Sequence, residues 1–228
     1  MKLSLLPRLF LFAAMLAAVT ADGAPLPADQ LWERARALLE QSSNLVAGEL
    51  TTDMEMIDGS GHSMGTMRIE EVTSGWKNGE PVRRIIANNN PQHADVAKSR
   101  FKVAIDSHPD LALREAQELT RIGQEVVDGK SCVVFQVSGK KNKLVYKSKV
   151  WIEEASALPI KAVHDFSGIP MMKSMSHSIT FGRATTGQWL PAAAVVDATV
   201  SSFLGSMKIV SKYQFRAWAA RPSIIPQA

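Results

Sequence analysis

The sequence predicts a mainly β protein of the α+β class, built on a curved antiparallel sheet whose open face is covered by helices. Three observations predict this class. Residues of alternating polarity recur in about ten to eleven short runs, as half-buried strands require. The turn dipeptides Asn78-Gly79 and Asp128-Gly129 lie between such runs and are typical of tight hairpins. Apolar residues at helical spacing are confined to two stretches, which fits helices that cover a curled sheet.

The first 21 residues have the organisation of a signal peptide. Lys2 and Arg8 form a positive region, Leu9–Val19 is an apolar run, and small residues permit cleavage after Ala21. The apolar run is shorter than the roughly 20 residues that span a bilayer. We therefore expect an exported protein with a signal peptide at 1–21, a mobile leader at 22–28, a single domain at 29–220 and a tail at 221–228.

The charge of the exported chain argues against a nucleic-acid partner. Loss of Lys2 and Arg8 would leave 24 of the 26 Lys and Arg against 22 Asp and Glu, so the net charge falls from +4 to +2. Nucleic-acid binders usually carry a basic patch or stripe, and the chain has no such block. The one lysine cluster, 140–143, is either a solvated turn or a docking patch for a partner or membrane surface.

The N-terminal part predicts one helix followed by a β-meander. Apolar residues at helical spacing predict a helix over roughly Asp29 to Ser42. The turn at 58–61 and the Asn-Gly dipeptide then separate three alternating runs, which are Leu45–Ile57, Ser63–Gly75 and Val82–Ala87.

The remaining chain predicts a short helical lid and further strands. One helical face is shared by Ala94, Ala97, Phe101, Ala104 and Ile105, and a second short helix follows Asp110 with Leu111, Leu113 and Ala116. The next predicted strands are 120–127, 130–138, 144–153, 159–163, 178–182, 193–202 and a last amphipathic strand over 207–217. The segments 168–175 and 187–191 are predicted to be connecting loops.

No catalytic constellation emerges from the motifs. The five histidines, at 62, 93, 108, 164 and 177, have no metal-ligand spacing such as His-x-x-x-His, and no Gly-x-Ser-x-Gly elbow is present. The only cysteine, Cys132, lies in an apolar run and is predicted to be a small buried hydrophobe. We therefore expect no enzyme, no metal site and no cofactor.

Methionine is the unusual residue of this chain. Eight of the ten methionines lie beyond residue 21, and seven of them fall at 54, 56, 64 and 67 or at 171, 172 and 175. Two interpretations are open. These side chains fill irregular gaps in the core, or they form an adaptable lining for an apolar ligand, since methionine repacks easily around variable shapes.

Several segments resemble the periplasmic outer-membrane lipoprotein-carrier superfamily, the LolA-like proteins. Val127–Phe135 looks like the family's hairpin "v-x-G-x-x-c/a-y-x-l/f". Val150–Lys161 is similar to "lWiD-x-x-t-g-L-P-l-k", with Glu153 and Ala157 where the family has Asp and Gly. The N-terminal helix and meander, Trp189-Leu190-Pro191 and the closing amphipathic strand fit the same plan.

The resemblance implies a half-open β-barrel in the periplasm, closed by helices around an apolar cavity. The expected function is a non-enzymatic binding or carrier protein, as in outer-membrane lipoprotein sorting, with a lipid or lipoprotein acyl chains as partner. The alternative is an envelope sensor or protein-interaction module that recognises an envelope protein or membrane surface. The expected cavity residues are Met54, Met56, Met67, Ile69, Ile86, Phe101, Phe135, Val150, Ile152, Met171, Met172, Met175, Phe181 and Phe215.

Overall fold

The computed structural model describes residues 28–77, 80–90, 113, 116–141, 144–169, 171–202 and 205–222. Its elements are, in chain order, α1 (Ala28–Glu40), β1 (Leu45–Ile57), β2 (Ser63–Lys77), β3 (Glu80–Asn88), β4 (Glu118–Val127), β5 (Lys130–Lys141), β6 (Leu144–Glu153), β7 (Pro159–Ser167), β8 (Met172–Arg183), β9 (Trp189–Ser202) and β10 (Gly205–Ala220). The mainly β class predicted from alternation is confirmed.

The ten strands form one antiparallel sheet in the order β3-β2-β1-β10-β9-β8-β7-β6-β5-β4. Two meanders build it, β1 to β3 and β4 to β10, and they join where β1 pairs with β10. The sheet is curved but not closed, because β3 and β4 remain its two edges. This agrees with the half-open barrel that the resemblance implies.

Helix α1 packs on one face of the sheet, which we call the inner face. Leu31, Ala35 and Leu39 recur at i, i+4 and i+8 and are buried, so they form the apolar stripe that faces the sheet. Trp32 packs against Phe135 with the ring centroids 5.4 Å apart. The opposite side of α1 carries exposed ion pairs. The helix contacts β6 and β9 and so lies over the two strands between them.

The predicted hairpin turns are confirmed where the structure describes them. Asp128 and Gly129 both have positive φ, at 51° and 77°, as a tight turn between twisted strands requires. Lys77 pairs with Glu80 across the Asn-Gly hairpin. At the turn after β1, the Asp58 carboxylate accepts hydrogen bonds from Ser60 and from the His62 N–H, and the Ser60 bond is the first cause of a lowered pKa of Asp58.

Glu153 and Ala157, which stand where the resembled motif has Asp and Gly, lie at the end of β6 and in the β6–β7 connection, and the chain accommodates both. Ala157 adopts a φ of 61°, which is the left-handed region where glycine is favoured. Glu153 accepts hydrogen bonds from Ser156 Oγ and, at 3.3 Å, from Lys130 Nζ. Pro159 opens β7, where a residue without an N–H is tolerated.

Two predicted loops are partly strand, so those predictions were wrong. Strand β8 begins at Met172, which places Met172 and Met175 in the sheet, and β9 begins at Trp189. The ladder between β8 and β9 continues through two register shifts, between Met172 and Ser174 and between Thr180 and Phe181. Bulges interrupt the period of two, and Pro191 sits beside the second one, which is a strand position that proline tolerates.

The other side of the β5–β7 hairpins carries a second, smaller apolar group, the outer cluster, formed by Cys132, Val134, Trp151 and Ile160. Cys132 is fully buried, as predicted, and burial is the main cause that raises the pKa of its thiol. Polar partners surround the cluster. The Trp151 indole donates to Glu125 at 2.8 Å, and Lys161 Nζ lies 5.2 Å from the Trp151 ring centroid.

The predicted lid helices lie largely outside the described residues. Leu113, which is helical and fully buried, and Ala116, which packs against the main core, are their described parts. The predicted signal peptide also lies outside the described residues. Within the described ranges, no helix combines the length and apolar character needed to cross a membrane.

Candidate ligand-binding face

The inner face is a largely apolar surface that runs across the sheet beneath and beyond α1. Residues opposite one another on neighbouring strands point to the same face, so the register defines rows of side chains across the sheet. One row, the methionine row, contains Met56, Ile209, Ala198, Met175, Phe166 and Tyr146. The next row along the strands, about 7 Å away, is the histidine row, with Met54, Ser211, Val196, His177, His164 and Ser148.

Most of the residues predicted from the sequence to line a cavity lie on this inner face. The following belong to the main core with α1: Phe135, Val150, Ile152, Met175, Phe181 and Phe215. Met67 and Ile69 are buried together, with Met54 packed against them, and Met172 packs against the main core. Cross-strand pairing places Met56 on the same face, opposite Ile209.

Three of the predicted cavity residues are not placed on this surface. Ile86 is 52% exposed, and its neighbour Ile85 packs against Met67 and Ile69 instead. The register between β2 and β3 shifts at Glu70 and Glu71, which pair with Ala87 and Ile85 and skip Ile86. This bulge turns Ile85, instead of Ile86, toward the inner face. Met171 is 68% exposed, just before β8. Phe101 lies outside the described residues.

Burial divides the inner face into two ends. At the β5–β6 end, Phe135, Val150 and Tyr146 are at most 2% exposed. At the β1–β10 end, Met54, Met56, Met207 and Ile209 are only half-buried. The half-buried end is where an apolar ligand would add to the contacts of the face, and its methionines are the side chains best able to repack around it.

Polar groups are buried in the middle of this apolar face, and the sequence analysis did not predict that they lie side by side. Ser148, His164 and His177 lie side by side on β6, β7 and β8 and are 3%, 1% and 4% exposed. His164 Nδ1 and Ser148 Oγ are 2.8 Å apart, and the two imidazole centroids are 5.7 Å apart. The sequence could have indicated this pairing. If a short hairpin turn centred near residue 170 had been predicted in place of the loop at 168–175, residues 164 and 177 would have been predicted to lie opposite each other.

His177 is the unusual member of this row. Its Nε2 is buried and has no hydrogen-bond partner among the described residues. Burial, and secondarily the neighbouring His164, lowers the pKa of His177 to about 3, so the ring is neutral at pH 7. So low a pKa makes it a weak general base near neutrality. Its chemistry there is that of a hydrogen-bonding group.

One other group on the face shares this property. Thr52 Oγ1 is buried, on a residue 6% exposed, and lacks a hydrogen-bond partner within the described part of the chain. Thr52 pairs with Tyr213 and Ile69, one row from Met54. Among the described residues, His, Cys, Asp and Glu side chains form no group of three able to hold a metal ion.

The fold defines the class of protein: a curved, open antiparallel sheet with an apolar inner face and a helix packed across it. No protein-family model and no curated protein matches the chain in sequence. Solved structures do match, and the following three share only 10–11% sequence identity with this chain.

A DUF1329 family protein from Desulfovibrio piger is 11% identical, with a TM-score of 0.40 over 87% of this chain and 95% of that one. A domain from Vibrio parahaemolyticus, provisionally titled an outer membrane lipoprotein-sorting protein, is 11% identical with a TM-score of 0.39 over 86% and 95%. The MucA/MucB complex of Pseudomonas aeruginosa gives 10% identity and a TM-score of 0.23 over 83% and 100%. Matches this distant carry no functional assignment, which depends on the chain's own residues.

Proposed function

We propose that this chain is a non-enzymatic binding or carrier protein of the periplasm that holds a lipid, acyl chain or other apolar ligand between its sheet and helices. The signal-peptide pattern of residues 1–21 supports export. The observation that carries the proposal is the inner face itself, which is largely apolar from the packed β5–β6 end to the half-buried methionines of β1 and β10.

The energetics of such a surface are sufficient without any reactive group. Each buried methylene of an acyl chain contributes about 0.8 kcal/mol. About ten buried methylenes would therefore contribute on the order of 8 kcal/mol before the cost of association. The half-buried end already presents Met54, Met56 and Ile209 on one face. The ligand enters at this end, because these side chains are only half-buried and can therefore move most easily.

The first experiment asks whether the exported protein carries lipid. The full chain is expressed with its own leader, purified from the periplasm and examined by native mass spectrometry and lipid extraction. We expect co-purified lipid and displacement of a fluorescent fatty-acid probe by long-chain competitors. A protein that is empty, and that also fails to bind the probe, contradicts the proposal.

The second experiment places the ligand on the inner face. Met54→Asp and Met56→Asp each put a charge on the half-buried surface, so probe binding should be lost while unfolding in urea changes much less. Met64→Asp is the matched control, because Met64 is 62% exposed in β2. Equal loss of binding and stability in the inner-face variants would favour the interpretation in which these methionines only fill the core.

A second candidate function, an interaction module, has one observation in its favour. Among the described strands, β4 pairs only with β5, and its Leu119, Ile122 and Val126 are 39%, 45% and 75% exposed. An edge of this kind can accept an extended segment of a partner protein as an added strand. Pull-down from periplasm of one stable protein partner by lipid-free protein, lost in Val126→Lys, would select this function over the carrier.

A further inference from the structure

The histidine row holds a buried polar atom, His177 Nε2, that has no hydrogen-bond partner among the described residues. His177 lies in the middle of β8, between His164 on β7 and Val196 on β9. Met175 and Ile179, two residues before and after it on the same face, belong to the main core. A buried polar atom without a partner loses its hydration and gains nothing in return, so an apolar side chain would be more stable here. The exception calls for a ligand group that supplies the missing hydrogen bond.

The neighbours of His177 hold its ring in place. The His164 ring lies 5.7 Å away, centroid to centroid, and its own Nδ1 is 2.8 Å from the Ser148 hydroxyl. All three residues sit on adjacent strands of one ladder, which restricts movement of their backbones. His177 Nε2 is therefore a fixed point on the inner face rather than a side chain free to find its own partner.

The position of this atom relates it to the candidate ligand path. Met175 is two residues from His177 on the same strand face, about 7 Å along the strand. Met175 also belongs to the methionine row, which leads across β9 and β10 to the half-buried Met56. An apolar chain lying along the methionine row can thus present a polar group to the histidine row.

The chemistry of the site selects the polar group. A neutral imidazole has one N–H and one lone pair, and either can belong to Nε2. It offers no positive charge to offset a carboxylate in this buried, apolar setting. Among small uncharged groups, a hydroxyl both donates and accepts, so it fits either tautomer of the ring.

We propose that His177 Nε2 anchors the hydroxyl group of an uncharged acyl-chain or alkyl-chain lipid held on the inner face, with Ser148 and His164 positioning the ring. This inference rests on the proposed carrier function and adds a ligand class to it. It predicts that the protein distinguishes lipids of equal chain length by one polar group.

The test is a competition assay with two probes of equal chain length, 1-tetradecanol and 1-chlorotetradecane, against a bound fluorescent fatty acid. We expect the full exported chain to prefer the alcohol to the chloride by about tenfold, as one recovered hydrogen bond allows. His177→Leu should bring that ratio close to one while chloride binding persists, and His177→Gln should retain part of the preference. Thr180→Val, at an exposed position on the opposite face of β8, should leave the ratio unchanged.

A measurement on the wild-type protein tests the proposal even if the variants do not fold. With ¹⁵N-labelled histidine, tetradecanol should shift the His177 Nε2 resonance, and chlorotetradecane should not. If no probe binds the wild type, the carrier proposal itself fails. If alcohol and chloride bind equally, or the preference survives His177→Leu, the anchor is wrong and the carrier proposal stands.

Discussion

The two faces of the sheet bury similar kinds of side chain, but their buried polar groups differ in hydrogen bonding. Around the outer cluster, the Trp151 indole donates to Glu125, and the Trp189 indole, which packs against both clusters, donates to the Pro159 carbonyl at 2.6 Å. A lysine lies over each ring. On the inner face, His177 Nε2 and Thr52 Oγ1 are buried without partners in the described part. Buried polar groups with hydrogen-bond partners indicate a surface that stabilises the fold. Buried polar groups without partners indicate a surface that gains its hydrogen bonds from a ligand.

The largest effect should come from breaking the outer cluster. Trp151→Ala removes a buried ring, leaves Glu125 without its indole donor and takes the aromatic face from Lys161, so we expect a loss of about 3–5 kcal/mol in the free energy of unfolding. Urea denaturation measures it. Trp151→Phe, which keeps a ring but not the N–H, should lose clearly less. Probe affinity of the folded variant should stay within about twofold, because the ring is on the opposite face from the ligand; a large loss of binding would undo the division of the faces.

The second effect tests how tightly the inner face is packed at its β5–β6 end. Tyr146 lies over Gly139, and a Cβ there would meet the Tyr146 ring, with Cε1 at 2.8 Å. Gly139→Ala should therefore cost about 3 kcal/mol, since a buried ring cannot move aside. Gly123→Ala is the matched control, because nothing lies within 4 Å of its Cβ position. If both substitutions behave alike in thermal unfolding, this end of the face is as adaptable as the methionine end.

The third effect has the opposite sign and comes from the unpartnered group. His177→Leu replaces a buried imidazole by an apolar side chain, so the ligand-free protein should gain about 2 kcal/mol in free energy of unfolding at pH 7. Thr52→Val should gain a smaller amount for the same reason. Chemical denaturation of delipidated protein measures both. A loss of stability in His177→Leu would mean that the ring is satisfied in solution and that the contrast between the faces is not real.

The fourth effect is the pH dependence that follows from the same residue. The pKa of His177 is about 3 in the folded chain, against about 6.5 when exposed, so between these values the unfolded state binds the proton that the folded state refuses. Stability is thus complete above about pH 6.5 and falls on acidification by at most about 1.4 kcal/mol per pH unit. The difference between wild type and His177→Leu, measured from pH 6.5 to 5, isolates this contribution. A constant difference would show that His177 is not buried in its neutral form.

The fold was largely predictable because alternation and turn chemistry act locally. The bounds of β1 and β6 match the predicted 45–57 and 144–153, and Asp128-Gly129 forms the predicted turn. The beginnings of β8 and β9 were missed, because bulges beside Met172 and Pro191 break the period of two that identifies a strand.

The candidate site was predictable only in part. It depends on the face to which each side chain of a strand points, which alternation predicts, and also on the register between neighbouring strands. Val150 and Ile152, which were expected to line the cavity and lie two residues apart in β6, are both buried on the inner face with α1. The meeting of His164, His177 and Ser148 depends on which residue of one strand lies opposite which residue of the next. Register is set by turn lengths and bulges, and because residues 168–175 were predicted to be a loop, the pairing of β7 with β8 was not predicted.

The smallest effect examines the polar surroundings of the outer cluster. Lys161 Nζ lies 5.2 Å from the Trp151 ring centroid, so Lys161→Gln should cost about 0.5–1 kcal/mol. Lys149→Gln, at an exposed lysine of the neighbouring strand, should cost nearly nothing. Urea unfolding of both variants gives the comparison. A measurable difference shows that even the rim of the outer cluster stabilises the folded chain, and equal values would confine its stabilising part to the buried rings.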